Sequence, residues 1–133
     1  MRYTIEVLRM TIKEGTKKAR AAKATGRTGQ YQVRDMLLKH FTDLTEDDVV
    51  SRPMGSQGSD IMLSTAALAV FPFDVEVKYR QTIQICTWMK QSEERLKTTD
   101  RYPVVFSKCR GRGNDWYVTI SAKMFLELWD KGG

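Results

Sequence analysis

The sequence predicts one α/β domain in which a mixed central sheet is flanked by helices. Hydrophobic residues make up 41% of the 133 residues, which is enough to bury a core without disulfide bonds. Short β-branched runs with alternating apolar residues are interspersed with segments of helical spacing. The clearest alternating run, 73–79, places apolar side chains on one face of a strand and charged side chains on the other.

The first 28 residues predict an N-terminal strand followed by a basic arm. Residues 2–12 alternate, with Tyr3, Ile5 and Val7 on one side, which favours a strand, and a short helix is the competing interpretation. Residues 13–28 contain almost no large apolar side chain, so we expect a loop or arm that is at most partly helical. The sequence GRTG at 26–29 marks its expected end.

Residues 29–131 predict the core, with the element order αβββαβ followed by a hairpin strand and a helix. Helical spacing predicts helices over 30–41, 82–97 and 122–130, and one helical turn at 64–70 capped by Ser64 or Thr65. Strands are expected at 49–51, 60–64, 73–79, 102–107 and 116–120. Ser121 is expected to cap the last helix, whose inward side chains are Met124, Phe125, Leu128 and Trp129.

Composition excludes several classes of protein. No apolar run reaches the roughly 18 residues that a membrane helix needs, and the N-terminus does not resemble a secretory signal, so we expect a cytosolic protein. Cys86 and Cys109 belong to no CxxC pair and are expected to be free thiols. With His40 as the single histidine, a zinc site or a Cys–His nucleophile pair is disfavoured.

The net charge of +6 is unevenly distributed along the chain. Residues 13–28 hold six bases and a single acid, Glu14. A basic segment of this density attracts polyanions, and nucleic acid is the commonest polyanion in the cytosol. A solvated arm that only improves solubility is the alternative. The six candidate DNA-binding bases are Lys13, Lys17, Lys18, Arg20, Lys23 and Arg27.

The centre of the sequence carries two acids and a lysine in an order that suits a divalent metal beside a phosphate. Asp60 follows a Gly/Ser-rich turn, and Glu76 and Lys78 share one face of the next strand. Mg²⁺ prefers carboxylate and carbonyl oxygens, so the candidate ligands are Asp60, Glu76 and the carbonyl of Val77. Lys78 is a candidate for activating water or stabilising charge on the phosphate. A weak surface ion pair is the alternative interpretation.

Asp60 with Glu76-Val77-Lys78 resembles the PD-(D/E)xK motif of nucleases with the restriction-endonuclease-like fold. The segments SRPMGSQGSD, FPFDVEVK, WMKQSE and YPVVFSK narrow the resemblance to small phage endonucleases of the Holliday-junction-resolvase type, over roughly residues 26–130. The resemblance implies a restriction-endonuclease-like core and Mg²⁺-dependent cleavage, with Mn²⁺ able to substitute. In it Asp60 and Glu76 bind metal and Lys78 is catalytic. It also implies branched DNA such as a four-way junction, a homodimer, and the host cytoplasm if the protein is phage-encoded.

This chain departs from the pattern on the first core helix, where nucleases of this fold often carry an acid. Gln30 or Gln32 stands there, so a second metal ion is left open. Asp74 shares the face of Glu76 and is a candidate spare ligand, or an acid that supports the ligands from behind, and the resemblance gives it no fixed role. Gln91 matches a glutamine that lies near the site in related nucleases, and an exposed helix glutamine is the alternative.

Further residues are candidates for contacts with the DNA backbone. Ser56, Ser59 and the amides of 55–58 suit a phosphate, although a tight turn alone would also explain the glycines. The remaining candidate bases are Arg52, Lys108, Arg110 and Arg112. Such contacts position DNA without reading its sequence, which favours structure-selective cleavage. The alternatives are a nicking, repair or exonucleolytic enzyme of the same fold, or a non-catalytic DNA-binding module.

Overall fold

The computed structural model describes residues 5–96 and 101–132, which form a mixed sheet flanked by helices. In chain order the elements are α1 (Ile5–His40), β1 (Val49–Ser51), β2 (Ile61–Leu63), α2 (Thr65–Val70), β3 (Phe73–Arg80), α3 (Ile85–Arg95), β4 (Tyr102–Cys109), β5 (Tyr117–Thr119) and α4 (Ala122–Gly132). The five strands of the described residues lie in sequence order. β3 and β4 are parallel, and the other neighbours are antiparallel. The predicted mixed α/β architecture is confirmed.

The N-terminal prediction is wrong, because α1 is one continuous helix of 36 residues. The strand predicted over 2–12 is helical from Ile5 on, residues 1–4 lie outside the described residues, and the arm at 13–28 is helical throughout. Ala, Lys and Arg favour helix, so a segment with few large apolar residues forms a helix here rather than a loop. The described side chains of 5–24 are all exposed. At about 1.5 Å per residue, this exposed section is about 30 Å long.

Gly29 lies inside α1 and does not mark a break between the basic arm and the core. A Cβ atom at Gly29 would lie 3.1 Å from the Cβ of Tyr79 and 3.3 Å from the ring of Trp116. The helix therefore uses the missing side chain to approach the sheet closely. Beyond this point Val33 and Leu37 are buried in the main core, which confirms the helical spacing predicted over 30–41.

The two faces of β3 are covered by different helices. Val75 and Val77 belong to the main hydrophobic core under α1. Asp74 and Glu76 lie on the opposite face, where they contact Arg95 of α3. The predicted alternation of this strand is therefore confirmed, but its charged face is covered by a helix instead of being open to solvent.

Serine side chains begin two of the helices as predicted. The hydroxyl of Ser64 accepts a hydrogen bond from the N–H of Ala67 at 3.1 Å, which makes Ser64 the cap of α2. The hydroxyl of Ser121 accepts one from the N–H of Met124 at 3.1 Å at the start of α4. Helix α3 is shorter than the predicted 82–97, and position 97 lies outside the described residues.

The inward packing predicted for α4 is wrong for its two aromatic residues, Phe125 and Trp129. Met124 is buried, but Phe125 is 52% exposed and Trp129 is 69% exposed. Helix α4 follows β5, a three-residue strand at the edge of the described sheet. This short edge offers too little surface to cover the whole apolar side of the helix. An exposed apolar patch on α4 results, where the rings of Phe125 and Trp129 lie 6.3 Å apart. Tyr117, Val118 and Leu126 are exposed as well.

Two expectations from composition are also addressed by the structure. Cys86 is exposed, Cys109 is partly buried, and both are free thiols. Among the helices of the described residues, none combines the length and the apolar character that a membrane crossing would require.

Candidate active site

The start of β2 places Asp60 beside Glu76. Ile61 pairs with Val75 in antiparallel strands. The N–H of Asp60 also donates to the carbonyl of Val75, at 2.9 Å, so Asp60 lies against β3 next to Glu76. On the same face, the Nζ of Lys78 lies 3.4 Å from the Oε1 of Glu76. The three predicted catalytic side chains therefore lie together.

The carboxyl of Asp60 interacts with each of its neighbours in this cluster. Its Oδ2 accepts a hydrogen bond from the N–H of Val77 at 2.7 Å. Burial and then the charge of Glu76 raise the pKa of Asp60, the N–H of Val77 and the ammonium of Lys78 oppose the shift, and the net pKa is about 6. A carboxyl whose pKa is raised by burial and a second acid is typical of functional sites.

Val77 presents its backbone, not its side chain, to the cluster. Alternate residues of a strand direct their N–H and C=O groups to the same edge. Because the carbonyl of Val75 accepts from Asp60 on the β2 side, the carbonyl of Val77 is directed to that side as well. The β2–β3 pairing has ended there. Two carboxylates and one carbonyl therefore meet at this edge, and oxygen ligands of this kind suit Mg²⁺.

Arg95, which sequence reasoning did not single out, completes the cluster. Its Nη1 donates to the Oε2 of Glu76 at 3.0 Å, and its Nη2 donates to the Oδ1 of Asp74. Burial alone would lower the pKa of Arg95, but the hydrogen bonds and charges of Asp74 and then of Glu76 raise it overall. A signal was present in the sequence. Trp88, Ser92 and Arg95 follow the i, i+4, i+7 spacing of one helix face.

The cluster is compact and largely covered. The side chains of Glu76 and Lys78 are 15% and 16% exposed, and Asp74 is 5% exposed. The Nζ of Lys78 also lies 5.8 Å from the ring centre of Trp88 on α3. Low exposure strengthens charge interactions here relative to those at an open surface.

The structure does not bring Gln30 or Gln32 to this cluster. Gln30 accepts a hydrogen bond from the hydroxyl of Ser51 at 2.6 Å, on the α1 side of the sheet. Gln32 accepts from the Nζ of Lys108 and from the indole N–H of Trp116, each at 3.3 Å, on the same side. Gln91, the remaining accessory candidate, is exposed on α3.

The six bases predicted to bind DNA are exposed along α1. Helical geometry turns by about 100° per residue. On this basis five of them lie within one sector of about 120°, and Lys18 lies outside it. We call these five residues the basic stripe: Lys13, Lys17, Arg20, Lys23 and Arg27.

Arg27, Tyr31 and Arg52 line one surface pocket together with Ser51, so this pocket lies on the α1 side of the sheet. The backbone N–H of Arg52 donates to the carbonyl of Asp60 at 2.8 Å. The Nε of Arg52 donates to the carbonyl of Ser59, and its guanidinium occupies the space where a Cβ of Gly58 would lie, 2.8 Å from the Cζ. Arg52 therefore supports the β1–β2 loop.

The other predicted DNA contacts differ in exposure. Ser56 is exposed and its hydroxyl donates to the carbonyl of Pro53 at 2.7 Å, whereas Ser59 is only 5% exposed. Arg110 and Arg112 are exposed in the β4–β5 turn. Lys108 is 6% exposed, so its ammonium does not lie on the outer surface with these two arginines.

In the described part of the chain, no three His, Cys, Asp or Glu side chains form a metal site. The predicted ligands remain Asp60, Glu76 and the carbonyl of Val77. Comparisons with family models, with curated proteins and with solved structures give no match. The function has to be inferred from the site.

Proposed function

We propose that the protein is a metal-dependent DNA endonuclease of the PD-(D/E)xK type with a restriction-endonuclease-like core. The observation that carries this proposal is the carboxyl of Asp60 held against β3 by the N–H of Val77, beside Glu76 and Lys78, which lie 3.4 Å apart. The topology supports it. The core elements follow the order αβββαβ if α2 is treated as an insertion. They are α1, then the antiparallel strands β1 to β3, then α3, and then β4, which is parallel to β3.

Asp60, Glu76 and the carbonyl of Val77 are the proposed ligands of Mg²⁺ or Mn²⁺. When bound, the ion neutralises charge that develops on the phosphate during hydrolysis. A pKa of about 6 leaves Asp60 mostly ionised at pH 7, so its carboxylate is available as a ligand. The ammonium of Lys78 lies beside Glu76 and is placed to orient the attacking water or to hold charge at the phosphate.

The basic stripe on α1 is the proposed path of the DNA backbone. A helix holds these bases in line over the exposed section, whereas a loop would leave them mobile. Arg27 and Arg52 continue the positive charge to the loop that carries Asp60. Contacts of this kind position DNA without reading bases, so we propose branched DNA, such as a four-way junction, as the substrate.

A homodimer is part of this proposal, because two symmetric cuts require two sites related by a twofold axis. The exposed apolar patch on α4, which contains Phe125 and Trp129, is the proposed contact between the two copies. Trp129, which is 69% exposed, is its most exposed member. Light scattering should give a dimer mass for the native chain and a monomer mass for Trp129→Glu. A monomeric native chain would refute the dimer and leave the active site in place.

The test of the function is cleavage of labelled DNA substrates in Mg²⁺ and in EDTA. The panel consists of a four-way junction, a flap, a nicked duplex, a linear duplex and a single strand. We expect junction cleavage that EDTA abolishes, and Asp60→Asn should bind junctions but not cut them. Lys90→Gln, an exposed substitution on α3, is the control and should cut normally.

One observation favours a second candidate function. Arg95 already neutralises Glu76, as would suit a DNA-binding module that needs no metal. Junction binding without cleavage in either Mg²⁺ or Mn²⁺ would establish that function instead. Preferential cutting of nicked or linear DNA would indicate a nicking, repair or exonucleolytic enzyme.

A further inference from the structure

The α3 face of the sheet carries an excess of acid. Asp60, Asp74 and Glu76 lie on it with Lys78 as the cation of the same strands. Asp74 is only 5% exposed. Carboxylates that lose hydration in this way require a paired cation. Arg95 supplies that cation from α3.

The guanidinium of Arg95 spans two acids that point the same way from one strand. Side chains at positions i and i+2 of a strand lie on one face, roughly 6.5–7 Å from each other. The planar guanidinium of arginine spans this distance because its nitrogens bind the two acids separately. The Nη1 of Arg95 donates to the Oε2 of Glu76 at 3.0 Å, while the Oε1 of Glu76 lies 3.4 Å from the Nζ of Lys78. Both oxygens of this proposed metal ligand are therefore already paired with cations.

Arg95 is also placed so that its side chain has room to move. It is the last residue of α3, and its side chain is 32% exposed. Asp74, its second partner, is outside the proposed ligand set. Release of Glu76 therefore leaves Asp74 to hold the guanidinium beside the site.

We propose that Arg95 is a displaceable counter-ion that occupies Glu76 in the metal-free protein and gives it up to the divalent cation. This inference rests on the proposed metal site. Three carboxylates with two cations leave a formal charge of −1 on the cluster, and this negative charge favours a divalent cation at Glu76 once the guanidinium has released it. Asp74 acts as the anchor of Arg95, a role that the motif does not give it.

The test is titration of the full-length protein with Mn²⁺, without DNA, by calorimetry at pH 7.5. Arg95→Gln removes the competing cation and should bind Mn²⁺ about tenfold more tightly, the size expected for a charge-assisted hydrogen bond to the same oxygen. Lys90→Gln removes one charge from the same helix without contacting the acids, and should bind within about twofold of the native chain.

Thermal unfolding in EDTA and in Mn²⁺ separates this role from a purely structural one. Arg95→Gln should melt lower than the native chain in EDTA and gain more from Mn²⁺. Equal or weaker Mn²⁺ binding by folded Arg95→Gln would overturn the proposal. If Arg95→Gln does not fold, Arg95→Lys keeps the charge without the fork. It should bind Mn²⁺ severalfold more tightly than the native chain, and binding no tighter than native overturns the proposal.

A different result separates the two proposals. If the native chain binds Mn²⁺ as tightly as Arg95→Gln, only the counter-ion role fails and the metal site stands. If neither protein binds Mn²⁺, the metal site itself fails. The counter-ion role and the proposed nuclease function then fail with it.

Discussion

Lys78 and Lys108 lie on neighbouring strands and are both largely buried, but they occupy opposite faces of the sheet. The Nζ of Lys78 lies 3.4 Å from Glu76, in the cluster that contains Asp60. The Nζ of Lys108 donates to the neutral amide of Gln32 at 3.3 Å. Both ammonium groups thus have partners. Lys78 contacts a carboxylate, whereas Lys108 has no acid among its described contacts and donates to an amide oxygen.

The aromatic surroundings of Lys108 explain how it is tolerated without an acid. Its Nζ lies 5.1 Å from the ring centre of Tyr79 and 5.8 Å from that of Trp116, distances at which ring faces attract a cation. Burial alone therefore does not identify a functional lysine in this protein. The nature of the partners does, and of these two lysines Lys78 is the one that lies beside carboxylates, the groups that a divalent metal would engage.

The largest expected effect is on cleavage by the two lysine variants. Lys78→Met should reduce the cleavage rate by about 10²–10⁴-fold, because it removes the cation that faces the reacting phosphate. Lys108→Met should cut within a fewfold of the native rate. Its unfolding free energy should change by less than about 1 kcal/mol, since Gln32 keeps the indole N–H of Trp116. Equal losses of activity in both variants would remove the distinction between the two faces.

The second effect concerns α1, which covers the Lys108 face and extends beyond it. Deletion of residues 1–25 should weaken junction binding and flatten its salt dependence by about 0.9 in the log–log slope for each lost phosphate contact. Arg20→Gln and Lys18→Gln form a matched pair, because only Arg20 belongs to the basic stripe. Binding measured across a salt series should show the larger slope change for Arg20→Gln. An unchanged slope after the deletion would contradict the role of α1.

The contrast between the faces also shows what the sequence could predict. The alternation in β3 was readable locally, and it assigned Glu76 and Lys78 to one face and Val75 and Val77 to the other. The approach of Arg95 depends on how α3 crosses the sheet, which is a tertiary property. The spacing of Trp88, Ser92 and Arg95 marks a helix face but not its partner.

The errors have a similar origin. Local alternation in 2–12 favoured a strand, but the residues that follow it are strong helix formers and carry the helix through. Gly29 reads locally as the end of a segment. Its glycine is instead required by close contact with Tyr79 and Trp116, which are far away in the sequence. Local signals thus gave the strands, whereas contacts between distant segments decided α1 and the partners of Gln30 and Gln32.

The third prediction is that the buried carboxyl of Asp60 lowers the free energy of unfolding, whereas the apolar side chains on the other face of the sheet raise it. The pKa of Asp60 is raised from 3.8 to about 6 in the folded chain, so the folded state keeps its proton to higher pH than the unfolded state. The contribution of Asp60 to stability therefore falls as pH rises through this interval, and the cost is fully present above it. In EDTA at pH 7.5, Asp60→Asn should be more stable than the native chain by on the order of 1–2 kcal/mol.

Urea unfolding at pH 4.5 and pH 7.5 checks this prediction, and the advantage of Asp60→Asn should shrink at the lower pH. Asp43→Asn, at an exposed position, is the control and should stay within about 0.5 kcal/mol of the native chain at both pH values. A loss of stability in Asp60→Asn at pH 7.5 would show that the hydrogen bond to Val77 outweighs the burial of charge.

The smallest effect tests the packing of α1 on the apolar face. Alanine is the better helix former, which favours Gly→Ala by up to about 1 kcal/mol. At Gly29 the new methyl would lie 3.1 Å from the Cβ of Tyr79, next to the backbone of β3, so overpacking of about 1–3 kcal/mol should exceed that gain. At Gly26 the nearest atom is the terminal methyl of Met54 at 3.2 Å, which is able to move aside. Urea unfolding should therefore show a loss of stability for Gly29→Ala and none for Gly26→Ala, and equal changes would mean that Gly29 is not needed for close packing.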